Sequence, residues 1–164
     1  IKKVVQSLKK RNKNLTFIIG ALPNIKINIA KKLGVQNQCS VEYNTFNGFN
    51  KSCVAIVASG TATLECALSN TPFIVIYKTS WISWLLTSLF VRVRFASIVN
   101  ILAKKKIVKE FLQNNFQAKL IEEEICCLLN KNNKQMLHDF KEIKELLGDG
   151  SAYKKTATFL ISNE

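Results

Sequence analysis

One stretch limits what this chain can fold into: Cys53-Val54-Ala55-Ile56-Val57-Ala58, then Ser59-Gly60-Thr61, then Ala62-Thr63-Leu64-Glu65. The opening run is short, apolar and partly β-branched, which predicts a buried strand. Ser59-Gly60-Thr61 then turns the chain. Gly60 has no Cβ, so backbone or a ligand can come close there. Ser59 and Thr61 are both good helix N-caps. Residues 61–69 read as a helix with Leu64, Ala67 and Leu68 inward, stopped by Thr71-Pro72. Residues 73–77 read as the next strand, which makes a strand-helix-strand unit of a parallel sheet. A helix that starts at the carboxyl end of such a strand offers free N–H groups and a partial positive charge, so it favours phosphate. Glu65, four residues after Thr61, stands one turn into the helix, where a carboxylate can accept hydrogen bonds from a diol such as ribose. Many α/β proteins use the same turn only as a cap, so spacing alone leaves phosphate binding and simple capping both open.

The rest of the chain extends the alternation. Residues 1–10 place Ile1, Val4, Val5 and Leu8 among lysines at helical spacing. Residues 15–21 read as a strand, 22–24 as a loop, 25–33 as a helix with Gly34 as its cap, 41–43 as a short strand and 46–50 as a loop. After the central unit, 97–103 is an apolar run broken by Asn100. Residues 107–113 restart a helix, and 119–130 form an amphipathic one with Glu122, Glu123 and Glu124 outward. A polar linker at 131–134 leads to helices at 135–147 and 151–161, with Gly148-Asp149-Gly150 between them. The pattern predicts an α/β fold, a doubly wound parallel sheet with flanking helices. A length of 164 residues suits one domain, with residues 135–164 packed as a C-terminal extension.

Asn100 carries a polar amide in apolar company, so it either caps backbone or meets a ligand. Glu110 and Gln113, three apart on the predicted helix, share a face that is either solvated or able to reach a ligand's hydroxyls. Residues 81–91, with Trp81 and Trp84, are too short to span a bilayer, for which about 20 apolar residues are needed. They suit either a helix lying in a membrane interface or a buried core helix.

The formal net charge of +13 suits a polyanionic partner. Only Arg11, Arg92 and Arg94 of the 24 basic residues are arginine, so part of that charge reads as a lysine-biased composition on solvated surface. Between Glu65 and Glu110 there is no acidic residue, while Lys78, Arg92, Arg94, Lys104, Lys105, Lys106 and Lys109 all occur there. These seven cations, without a counter-charge in their own stretch, favour a polyanionic partner or an anionic membrane surface. Nucleic acid is not expected as a partner, for the chain has no helix-turn-helix, RNA-binding signature or basic-aromatic interleaving.

Five cysteines lack metal-site spacing. Cys53 and Cys66 read as small buried hydrophobes, which fits a reducing, cytoplasmic setting. The opening Ile1-Lys2-Lys3 has no apolar core of a signal peptide and no initiator methionine, which reads as a cut N-terminus. His138, beside Asp139, is the only histidine and reads as an exposed helix residue. Neither a Ser-His-Asp hydrolase nor a metal site is expected from it.

Three stretches together resemble one family. Ala58-Ser59-Gly60-Thr61-Ala62-Thr63-Leu64-Glu65 resembles its Ser-Gly-Thr-x-x-Leu-Glu motif, Asn100-Ile101-Leu102-Ala103 its Pro-Asn-Leu-Leu-Ala motif, and residues 108–113 the Val-x-Glu-Leu-Leu-Gln helix that follows. Leu22-Pro23-Asn24 is also similar, and the order and separations match. The family is lipid-A-disaccharide synthase, an inverting glycosyltransferase of the two-domain GT-B type. The resemblance covers nearly the whole chain but only the family's C-terminal half, a Rossmann-like domain. The catalytic residues are expected in the other half, so this chain alone is expected to be inactive.

The resemblance implies an enzyme that joins UDP-2,3-diacylglucosamine to lipid X (2,3-diacylglucosamine 1-phosphate) and releases UDP. It implies no cofactor and no metal, fixed positive dipoles standing in for a cation at the leaving diphosphate. Ser59, Gly60, Thr61 and Ala62 would hold the diphosphate and Glu65 the ribose. Asn100, Glu110 and Gln113 would lie near the donor or the cleft. The implied location is cytoplasmic, peripheral on the inner face of the inner membrane, and a homodimer is compatible with it. The alternative function is an inactive basic module that binds membrane surfaces. Two positions depart from the family: Val99 stands where it has proline, and Lys104 where it has glycine. If position 104 needs a positive φ, lysine strains it.

Overall fold

The computed structural model describes residues 1–20, 26–78, 95–148 and 152–162. In chain order the elements are α1 (Lys2–Arg11), β1 (Phe17–Gly20), α2 (Lys26–Leu33), β2 (Cys39–Glu42), α3 (Thr45–Asn50), β3 (Ala55–Ala58), α4 (Ala62–Leu68), β4 (Phe73–Tyr77), α5 (Ile98–Ala103), β5 (Glu110–Leu112), α6 (Ala118–Asn130), α7 (Lys134–Leu147) and α8 (Ala152–Ser162). Short 3-10 turns occupy Gln36–Gln38 and Gln113–Asn115.

The fold is α/β with parallel strands and flanking helices, as the alternation predicts. The strands fall into two sheets: β1 pairs with β2, while β3, β4 and β5 pair in that order. Every pairing is parallel, with Val57 opposite Val75 and Ile76 opposite Phe111. The carboxyl ends of β3, β4 and β5 therefore share one edge.

The central strand β4 shows why both faces must be covered. Successive side chains on a strand point to opposite faces. Phe73 and Val75 enter one cluster with Val57, Cys66, Ala67, Val99, Val108, Phe140 and Ile143. Ile74 enters the other, with Val4, Leu8, Phe111, Ile121, Ile125 and Leu128. So α4, α5 and α7 cover one face, and α1 and α6 the other, which explains the unbroken apolar run of β4. Phe73 and Phe140 stack with ring centroids 5.5 Å apart.

Four expectations change. Residues 46–50 belong to helix α3, whose N-cap Asn44 accepts a side-chain bond from the Asn47 amide at 3.2 Å. Residues 107–113 form no helix. Glu110–Leu112 is strand β5, because β4 has an open edge there and the Val75 amide donates to the Lys109 carbonyl at 2.9 Å. Val108 and Phe111 are spaced like helix neighbours, so a run this short fits either period. Glu122 is not outward but pairs with Arg11 at 2.7 Å, against α1. Cys53 is exposed, whereas Cys66 is fully buried, bonded to the Thr71 carbonyl at 3.6 Å, and its thiol is pushed upward by burial. The residues 81–91, read as either an interfacial or a buried helix, lie outside the described ones.

Gly34 caps α2 with φ +74°, as expected. Lys104 ends α5 in the left-handed region, at φ 54° and ψ 16°. The condition for strain at this position is met. A side chain there costs on the order of 1 kcal/mol relative to glycine. Lys104→Gly should therefore raise stability by about 1 kcal/mol, or about 3 °C in Tm. Lys106→Gly, at an exposed position without a positive φ, should not. Thermal melts of the two variants check this.

Candidate functional site

The corner between β3 and α4 is built by backbone. The Ser59 amide donates to the Ile76 carbonyl at 3.1 Å and so extends the ladder one residue past β3. Gly60 then takes φ +143°, a conformation that L side chains rarely adopt. A Cβ placed there would meet nothing within 4 Å among the described residues, so on their side the corner is open. Thr63, fully buried, donates its amide at 3.1 Å and its hydroxyl at 2.7 Å to the Gly60 carbonyl. That pins the carbonyl inward. Among the described residues the amides of Gly60, Thr61 and Ala62 have no acceptor. Three adjacent donors at the start of a helix form an electropositive corner.

Glu65 is half-buried, and its carboxylate accepts a bond from the Thr45 hydroxyl at the start of α3. Thr45 in turn packs beside Gly20 at the end of β1. The Glu65 side chain thus reaches from α4 toward the carboxyl end of the first sheet. Thr45 was missed in the sequence because 46–50 read as a loop. Asn44-Thr45, two residues common at helix starts, was the available signal.

The remaining predicted residues divide. Ser59, Asn100 and Glu110 join one network. The Ser59 hydroxyl donates to the Ala96 carbonyl at 2.7 Å. The Glu110 carboxylate accepts from the amides of Ala96 at 2.9 Å and Ser97 at 2.8 Å, and from Asn100 Nδ2 at 2.8 Å. A carboxylate accepting two amides at the start of α5 complements the unpaired donors there. Asn100 is fully buried. Its Oδ1 accepts from the amides of Ile107 at 2.8 Å and Val108 at 3.0 Å, and its Nδ2 also donates to the Val108 carbonyl at 2.9 Å. Its amide therefore bonds to the protein on both sides. Gln113 shares no helix face with Glu110, being in the turn after β5, at φ 39°. It stands at the same carboxyl edge as Ser59, with β4 between their strands.

The cations credited with no counter-charge are partly paired by later helices. Lys105 reaches Asp139 at 2.8 Å and Glu142 at 3.2 Å, and those hydrogen bonds, Asp139 first, raise its pKa. Lys109 reaches Glu124 at 2.8 Å. His138 is exposed, as expected. With Asp139 and Glu142 it forms a group whose ligand atoms lie within 4.8 Å of one another, but the Lys105 ammonium already contacts both carboxylates. Among the described residues no helix is long and apolar enough to cross a membrane.

Comparison with known proteins gives the family of the chain. Residues 1–160 match the family model for lipid-A-disaccharide synthetase. The lipid-A-disaccharide synthase of Rickettsia prowazekii (strain Madrid E) is 31% identical over 159 residues, covering 95% of this chain and 42% of that protein. That of Persephonella marina (strain DSM 14350 / EX-H1) is 28% identical over 160 residues, 92% of this chain and 42% of its own length. Lipid-A-disaccharide synthase 1 of Legionella pneumophila (strain Philadelphia 1) is 39% identical over 99 residues, 59% of this chain and 26% of that protein. The chain thus spans less than half the length of these curated relatives. A match running from the first residue to residue 160 places the chain in the lipid-A-disaccharide synthase family.

Proposed function

We propose that this chain is the UDP-sugar-binding part of a lipid-A-disaccharide synthase. The enzyme would transfer 2,3-diacylglucosamine from UDP-2,3-diacylglucosamine to lipid X and release UDP. The observation that carries this is the run of three amides without acceptors, Gly60, Thr61 and Ala62, at an open glycine corner in a chain of this family. Those amides and Ser59 would hold the diphosphate, whose charge they stabilise as it leaves. Glu65, steadied by Thr45, would accept the ribose hydroxyls. Glu110 and Asn100 would act one step back: they hold the Ala96-Ser97 segment against Ser59. Gln113 would lie at the rim of the donor site, at the same strand edge. The acylated substrates imply work at the inner membrane surface, on its cytoplasmic face.

Titration calorimetry with UDP tests the donor site. The folded chain should bind UDP saturably. Glu65→Ala should weaken binding between about tenfold and a hundredfold, the range for losing hydrogen bonds to a charged group. It should also reduce the preference for UDP over its 2′-deoxy analogue. Folded protein that gives no heat with UDP would sink the proposal.

A further inference from the structure

The carboxylates of this chain are unevenly placed, and the structure turns that into a surface. The first acidic residue is Glu42. Before it come nine cations: Lys2, Lys3, Lys9, Lys10, Arg11, Lys13, Lys26, Lys31 and Lys32. A general lysine bias would scatter cations among carboxylates, but here the carboxylates are missing. Folding does not bring them back. Arg11 takes Glu122 at 2.7 Å, and Glu42 is taken by Lys51 at 2.5 Å. Among the described residues Lys2, Lys3, Lys9, Lys10, Lys13, Lys31 and Lys32 have no ion pair.

Helix α1 buries Val4, Val5 and Leu8 and turns its lysines away from the core. It packs on α2. Between α1 and the turn after α2 lies a cavity of about 630 Å3, apart from the Gly60 corner, lined by Gln6, Lys9, Lys10, Lys13, Gly34 and Gln38. No carboxylate lines it.

We propose that this α1–α2 face, centred on the Lys9, Lys10 and Lys13 cavity, docks on the anionic phospholipid headgroups of a membrane surface. The proposal deepens the lipid-substrate reading above and rests on it. Of the later basic run, Lys105 and Lys109 are held by Asp139, Glu142 and Glu124, whereas the lysines of this face have no such partner among the described residues. Every unpaired cation of the face is lysine, a flexible point charge rather than the planar fork that reads nucleic acid. Such charges sum over a diffuse anionic surface and are screened by salt.

The test is partition of the 164-residue chain onto vesicles of equal parts phosphatidylcholine and phosphatidylglycerol, against phosphatidylcholine alone. Wild type should bind only the anionic vesicles, and less so as salt rises. The triple variant Lys9→Gln, Lys10→Gln, Lys13→Gln should lose on the order of a hundredfold in partition, from roughly a fivefold loss per lysine near the surface. The control triple Lys104→Gln, Lys106→Gln, Lys144→Gln removes the same charge elsewhere and should lose far less. Equal loss in both triples would overturn the face, leaving net charge as the cause. No binding by wild type, or equal binding to a DNA duplex at physiological salt, would overturn membrane docking altogether. UDP titration of the α1 triple keeps the two readings apart: it should bind UDP as wild type does, whichever way the vesicles decide.

Discussion

Asn100→Leu should lower the stability of this chain by about 4 kcal/mol, an unusually large loss for one substitution of similar volume. The reason is what Asn100 leaves behind. Its Oδ1 serves the amides of Ile107 and Val108, and its Nδ2 serves the Val108 carbonyl and the Glu110 carboxylate. Leucine fills the space but answers none of these groups. Each buried group left without a partner costs about 1–3 kcal/mol. Local relaxation and water recover part of the sum. In Tm this is a fall of roughly 8–16 °C for a chain of this size. Thermal melts or urea unfolding measure it directly. A variant with wild-type stability that has merely lost UDP affinity would show that Asn100 faces ligand instead of backbone.

The same residue shows how far the sequence could be followed. A lone asparagine between Val99 and Ile101 announces a buried polar group, and the two roles it could take were both visible. Which role it takes depends on residues seven and eight positions later. They come within reach only because Glu110–Leu112 pairs with β4. Strand β5 was itself illegible. Three residues are too few to show a period, and the apolar spacing around them mimics a helix. Its existence is decided by an open edge elsewhere in the sheet, which is a tertiary fact.

The central unit was legible for the opposite reason. In β3, the glycine turn and α4, local chemistry and global need agree: β-branched residues, a glycine where φ must be positive, and small residues where a helix packs close. The strained Lys104 was legible too, because the glycine it replaces in the family marks a conformation and not a side chain. Charge was less transparent. Sequence shows where cations lie along the chain but not which carboxylate a fold will carry to them. Lys105 finds Asp139 and Glu142 from over thirty positions away, while the lysines of α1 find no carboxylate among the described residues.

Gly60→Val should reduce UDP affinity by more than about a hundredfold while leaving the chain folded. Two effects combine. At φ +143° a β-branched residue is strained, so the backbone relaxes toward ordinary angles and the amides of Gly60, Thr61 and Ala62 lose their common direction. A hydrogen bond to a charged diphosphate contributes about 1.5–3 kcal/mol, so misdirecting even two of three reaches that loss. The valine side chain also stands in the space beside the corner, where no atom of the described residues lies within 4 Å of the Cβ position. For the same reason the cost to stability is limited to backbone strain, about 1–3 kcal/mol, with no clash in the core. Gly60→Ala should fall between the two, sharing the strain and placing less bulk. Calorimetry at a temperature well below the variant's Tm separates binding from folding. The pattern expected is the reverse of Asn100→Leu: a small thermal shift and a large binding loss. If Gly60→Val lowers the Tm yet binds UDP as tightly as wild type, the phosphates do not sit at this corner, and its three amides are no more than the frayed start of a short helix.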